Sequence, residues 1–177
     1  MDKEKFLTYM QQKVAYETIT PGALGYSSEV VELQDLRNFS SEMDLSAFNT
    51  DDADVFQSAL DKQTAELSEY VSAQRKNWGT ARTTLNIFLQ GALYNRYLSQ
   101  KYDLFLAEHF LELPLSKKTA DGLRRQAGGR KLPEWSGLNV LQKDLSDQYQ
   151  AFAHELARHS GVARVHLNMF LWPGWST

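Results

Sequence analysis

Cysteine is absent from all 177 residues, so disulfides, thiolate metal ligands and thiol nucleophiles are excluded at the outset. Proline is scarce, at 4 residues, which leaves long stretches where a helix can run without interruption. No apolar run reaches the length of a membrane span. The opening MDKEKFLTYMQQ offers no apolar signal core. From these absences we expect a soluble, cytoplasmic protein without a membrane partner. Phosphate-binding P-loops, dinucleotide fingerprints and nucleophile elbows are missing too, and no helix-turn-helix is recognisable. No cofactor is therefore expected.

What the sequence does contain is helical periodicity. Phe6, Met10 and Val14 fall on one face of a helix over 3–16. The stretch 20–28 reads as a loop from its Pro, Gly and Ser content, and a shorter element follows over 29–38. Asn49 or Thr50 caps the next helix, with Phe56, Leu60, Leu67 and Val71 inward. From Trp78 to Tyr102 a helix is apolar around most of its circumference, which belongs at the centre of a core. Helix continues over 104–111 and stops at Pro114. Ser116 caps a further helix that ends at Gly128-Gly129, followed by a loop at 130–137. Leu145, Tyr149, Phe152 and Leu156 line a helix over 143–159. The segment 161–175 fits a strand or a helix, and without a strand partner it is read as helix.

The fold class is thus all-α, one domain over 1–177. The expected core is Phe56, Leu60, Leu85, Phe88, Leu89, Leu93, Leu123, Phe152, Leu156, Leu167 and Leu171. No internal repeat or low-complexity segment occurs.

Negative charge predominates slightly, at −3, but its distribution is uneven. Residues 1–74 carry 5 basic and 14 acidic side chains, a balance of −9. Residues 75–131 carry 11 basic and 4 acidic, a balance of +7. Such a cationic stretch either attracts nucleic acid or complements the acidic N-terminal segment.

Metal and nuclease chemistry find no support. HELARH at 154–159 places His154 and His159 five residues apart, about 140° out of line on a helix, so they cannot share a metal ion. No metal site is expected. None of the four histidines follows an arginine by four to six residues, the spacing used by small helical ribonucleases.

The most informative stretch is LPLSKKTADGLRRQAGGRK at 113–131. Lys117 and Lys118 occupy the first turn of a helix, the end that already carries about half a positive charge. Arg124 and Arg125 follow on the same helix, and Arg130 and Lys131 extend the charge beyond it. A phosphate satisfies both lysines and the exposed amides. Alternatively, Glu112, Asp121 and the acidic N-terminal half neutralise the helix within the monomer. Trp78, beside Gly79, and Trp135 offer rings for an unpaired base.

Three segments in this order resemble the helix-hairpin-helix DNA glycosylase superfamily, closest to its archaeal-type 8-oxoguanine glycosylase branch. They are ARTTLNIFL at 81–89, Pro-Leu-Ser at 114–116 with its helix, and HLNMFLW at 166–172. The likeness covers roughly 75–175, so it implies a glycosylase-like core behind the acidic helices of 1–74. It implies DNA as partner, a role in DNA repair, and cleavage of an N-glycosidic bond by a lysine amine assisted by an aspartate.

Here the lysine position falls on Arg82 or Thr83, the aspartate position on Ser116, and the later Leu-Asp reads Leu167-Asn168. Arginine and threonine cannot form the imine, and the paired-glycine hairpin is reduced to Trp78-Gly79-Thr80. Lys117 or Lys118 is an alternative amine, and Glu112 and Asp121 are the carboxylates nearest in sequence. The resemblance therefore implies DNA binding more strongly than base excision. The rival expectation is a non-enzymatic helical module that binds a protein partner, of the kind carried by phage-derived or phage-defence systems.

Overall fold

The helical periodicity becomes a bundle arranged around one central helix. The structure, a computed structural model, describes residues 2–25, 31–70, 77–128 and 132–171. Among these residues there are nine α-helices and no strand. They are α1 (Lys3–Thr18), α2 (Pro21–Leu24), α3 (Val31–Glu42), α4 (Ala53–Tyr70), α5 (Trp78–Tyr94), α6 (Arg96–Tyr102), α7 (Lys117–Gln126), α8 (Lys143–Ser160) and α9 (Leu167–Phe170).

Local chemistry moves several boundaries from their expected places. Thr20 caps the short helix α2 inside the expected loop, with Pro21 at the first helical position. Asp52, not Asn49 or Thr50, caps α4, its carboxylate accepting from the amides of Asp54 (2.8 Å) and Val55 (3.0 Å). The expected continuous helix from Trp78 divides at Asn95. Its side-chain oxygen accepts from the amides of Tyr97 and Leu98, and so ends α5 and starts α6. Helix continues over 104–111 only as a single 3-10 turn at Leu104–Ala107. Asp103 takes a left-handed conformation (φ 48°), a tight turn spans Leu104–Ala107, and the chain is non-helical from Leu111 to Ser116.

Helix α5 is buried along most of its length because apolar layers cover it on both sides. One layer comes from α1, α3, α4, α6 and the 104–107 turn, and packs on Leu85, Phe88 and Leu89. The second joins Leu113, Leu115, α7, α8 and α9, with Trp78 packed against it. The two layers do not divide at residue 75: the acidic N-terminal helices and α5 share the first.

Eight of the eleven expected core residues are buried, while Leu93, Phe152 and Leu156 are half-buried. On α8 the innermost positions are Tyr149, Gln150, Ala153 and Ala157. Small alanines there let α8 approach its neighbours closely, which turns the bulkier Phe152 and Leu156 toward the margin. Val71 lies outside the described residues.

Gly79 shows how tightly α5 is gripped at its start. A Cβ there would stand 2.3 Å from the Leu138 carbonyl oxygen and 2.6 Å from Leu141 Cβ. Gly79→Ala is expected to cost about 1–3 kcal/mol in urea unfolding, since backbone must shift to admit the methyl. A loss under about 0.5 kcal/mol, the size of an ordinary surface change, would contradict this packing.

Candidate functional site

The first turns of α5 and α7, the α2 corner and the 135–139 loop enclose an open cleft of about 1010 Å³. Its walls include Asn77, Thr80, Ser116, Lys117, Lys118 and Trp135, with Gly137 at the base of the loop.

Each wall is built by local hydrogen bonding. Asn77 caps α5 by accepting from the Thr80 amide (2.8 Å), and its amide group donates to the Asn139 carbonyl, tying helix to loop. Ser116 caps α7 as expected. Its hydroxyl accepts from the Thr119 amide, and the Thr119 hydroxyl accepts from the Ser116 amide at 2.7 Å, a reciprocal cap. Gly137 has φ 108° with ψ 164°, a conformation that side chains rarely adopt, and this turns the loop at Trp135 toward the helices. Trp135 packs edge-on against Tyr149 at 5.8 Å, and the Tyr149 hydroxyl donates to the Pro133 carbonyl (2.7 Å). The indole is therefore held from behind while one part of it borders the cleft.

The charge of the cleft follows from its residues. Two lysines line it, and no carboxylate does among the described residues. Lys117 is 78% exposed and forms an i, i+4 pair with Asp121 at 2.7 Å. Asp121 thus neutralises part of the first-turn charge within the monomer, as one of the two expectations held. An exposed pair of this kind contributes only about 0.3–0.5 kcal/mol, so it yields readily to a competing anion. Glu112, the other carboxylate considered, is buried and engaged elsewhere.

Several expected site residues do other work. Arg82 is 1% exposed and does not line the cleft. Its guanidinium donates to both Glu112 oxygens (2.9 and 3.0 Å), to Asp61 (2.8 Å) and to the Thr64 hydroxyl (2.9 Å). Asn86 adds a 2.8 Å bond to Glu112. Thr83 is buried beside it on α5. Of the three positions matched to family catalytic residues, Ser116 alone reaches the cleft, and its hydroxyl is committed to the cap.

Trp78 is half-buried, packs into the second apolar layer and faces the Arg82 guanidinium at 5.4 Å. It is not a cleft ring. Gly79 is buried against Leu138 and Leu141, so it approaches the protein's own backbone, not a nucleic acid's. Arg125 is exposed, and Arg124 is half-buried with a buried Nε; neither lines the cleft. Arg130 and Lys131 lie outside the described residues. Asn168, at the position of the family's second aspartate, exchanges two 3.1 Å amide bonds with Gln90 and pins α9 to α5.

His154 and His159 point to different surroundings. His154 shares a second cavity, of about 340 Å³, with His109 and Arg164. His159 instead hydrogen-bonds to the Glu155 carbonyl of its own helix. No group of three or more potential metal ligands occurs among the described residues.

Sequence reasoning had no means of finding Asn77 or the Ser136–Asn139 wall. These residues carry no motif, and the cleft joins positions more than a hundred residues apart. Comparison of the chain with family models, curated proteins and solved structures finds no match.

Proposed function

We propose that the cleft binds a nucleic-acid strand, with a phosphate between Lys117 and Lys118 and a base against Trp135. One observation carries this reading: in an acidic protein, a cleft of about 1010 Å³ is walled by two lysines and an indole. The first turns of α5 and α7 add amide donors and partial positive charge at the same place. The half-buried, braced indole supplies the stacking surface that single strands and extruded bases use. A glycosylase-like arrangement would present DNA to this cleft.

The proposal is binding without excision. Arg82 and Thr83 are buried away from the cleft, and the Ser116 hydroxyl holds a helix cap. An active excision enzyme would need a carboxylate-activated water, and no carboxylate lines the cleft among the described residues, or a lysine amine, a role left here to Lys117 or Lys118.

Fluorescence anisotropy with a labelled single-stranded oligonucleotide tests the binding. One phosphate held between the two lysines predicts that log K falls with log salt at a slope of about −0.7. Lys117→Gln/Lys118→Gln should flatten that slope, and Trp135→Ala should cost about 1–3 kcal/mol of affinity from lost stacking. Absence of binding at about 50 mM salt would overturn the proposal and favour the protein-partner reading. Duplexes holding damaged bases should yield no abasic product; abasic product lost in the lysine variants would restore the excision reading.

A further inference from the structure

The far end of α5, about 25 Å from the cleft by helical rise, carries a hydrogen-bonded series of three side chains. The Tyr94 hydroxyl lies 2.7 Å from His166 Nδ1, and His166 Nε2 lies 2.6 Å from Glu108 Oε1. A carboxylate only accepts, so Nε2 carries the ring proton. Nδ1 of the neutral imidazole is then the acceptor, and the phenol donates to it.

We propose that Tyr94 is a hydroxyl nucleophile for acyl transfer, with His166 as its base and Glu108 as the positioning residue. A nucleophile within hydrogen-bond reach of a base, which is oriented in turn by a third group, is the arrangement that activates weak hydroxyls. The three residues come from three separate segments: α5, the chain after the 104–107 turn, and the turn before α9. The Gln90 side chain donates to the Val165 carbonyl in the last of these, and its reciprocal amide bonds with Asn168 hold the following α9 onto α5. The imidazole and phenol rings lie 12° from parallel, with centroids 5.6 Å apart. The phenol remains 45% exposed, so an incoming molecule can reach it.

Burial pushes the Tyr94 phenol above its ordinary range, and the Glu108 charge adds to this against a lowering bond from Gln90. Attack through a preformed phenolate is therefore disfavoured, and the proton must leave during attack. The Tyr94 oxygen bonds to the carbonyl carbon of an activated ester, and the phenolic proton passes to His166 Nδ1. The ester C–O bond then breaks and the alkoxide or aryloxide departs. Glu108 beside the base disfavours anionic donors, so the acyl donor is uncharged.

The chain supplies its own controls, because Tyr9, Tyr16 and Tyr97 are 47%, 61% and 53% exposed. Treatment with 4-nitrophenyl acetate, followed by peptide mass mapping, should acetylate Tyr94 at least about a hundredfold faster than these three, the low side of general-base assistance. His166→Gln keeps a hydrogen-bonding side chain but accepts no proton, and should erase the preference. Glu108→Gln should reduce it, and serves as the second variant should circular dichroism show His166→Gln unfolded. Equal acetylation of all four tyrosines would overturn the proposal. So would a Tyr94 preference that survives in folded His166→Gln or, if that variant is unfolded, is undiminished in folded Glu108→Gln.

Discussion

Arg82→Met is expected to lower the unfolding free energy by about 3–5 kcal/mol in urea titration. The side chain is buried on the central helix, and its guanidinium meets Glu112 in a two-pronged pair while also holding Asp61 and Thr64. Methionine fills much of the volume but leaves the Glu112 carboxylate buried without its cation. Asn86 still donates to that carboxylate, but a neutral amide cannot replace a guanidinium. The cost therefore comes chiefly from the orphaned charge, because well-packed apolar residues often replace a buried ion pair without loss. Arg82→Met/Glu112→Leu should accordingly recover most of the stability lost in the single variant. A loss below about 1 kcal/mol for Arg82→Met, or a double variant worse than the sum of the singles, would refute this account. Arg82→Lys should also destabilise, since an ammonium cannot span both Glu112 oxygens and Asp61 together.

Leu89→Ala is expected to cost about 2–5 kcal/mol, the range for emptying a leucine site in a packed core. Leu89 is buried on α5 within the first apolar layer, so its removal empties a site inside a packed core. Leu93, one turn further along, is half-buried, so Leu93→Ala should cost distinctly less. The contrast tests the rotation of α5 about its axis. Equal costs at the two positions would mean that the helix presents a different face to the core.

The all-α class and most helices were legible because they depend on spacing within a single segment. Phe56, Leu60 and Leu67 mark the inner face of α4, and Ser116 marks the start of α7, wherever the rest of the chain lies. Boundaries failed where a side chain competed with the helix for backbone amides, as Asn95 and Asp52 do. A hydrophobic pattern carries no signal for that competition. The α8 face was legible in part: Tyr149 is buried and Leu145, Phe152 and Leu156 pack at the margin of the second layer, while Ala153 and Ala157, which periodicity weighs lightly, lie inside it.

Functional geometry was less legible, because charge reads the same in a sequence whether it is solvated or buried. Arg82 looked like a substituted catalytic lysine and proved to be an internal pin, since its partners Asp61 and Glu112 stand 21 and 30 residues away. Trp78 and Trp135 were equivalent candidates for stacking until packing set one against Arg82, away from the cleft, and left the other at its wall. Tyr94, His166 and Glu108 share no motif, as the histidine lies 72 and 58 residues from its partners. Composition and periodicity sufficed for a helical chain with a cationic middle, because those properties are local sums. Which cations face outward, which rings line a cleft and which hydroxyl meets a base were settled by long-range packing, where burial and desolvation act on residues that are distant in the chain.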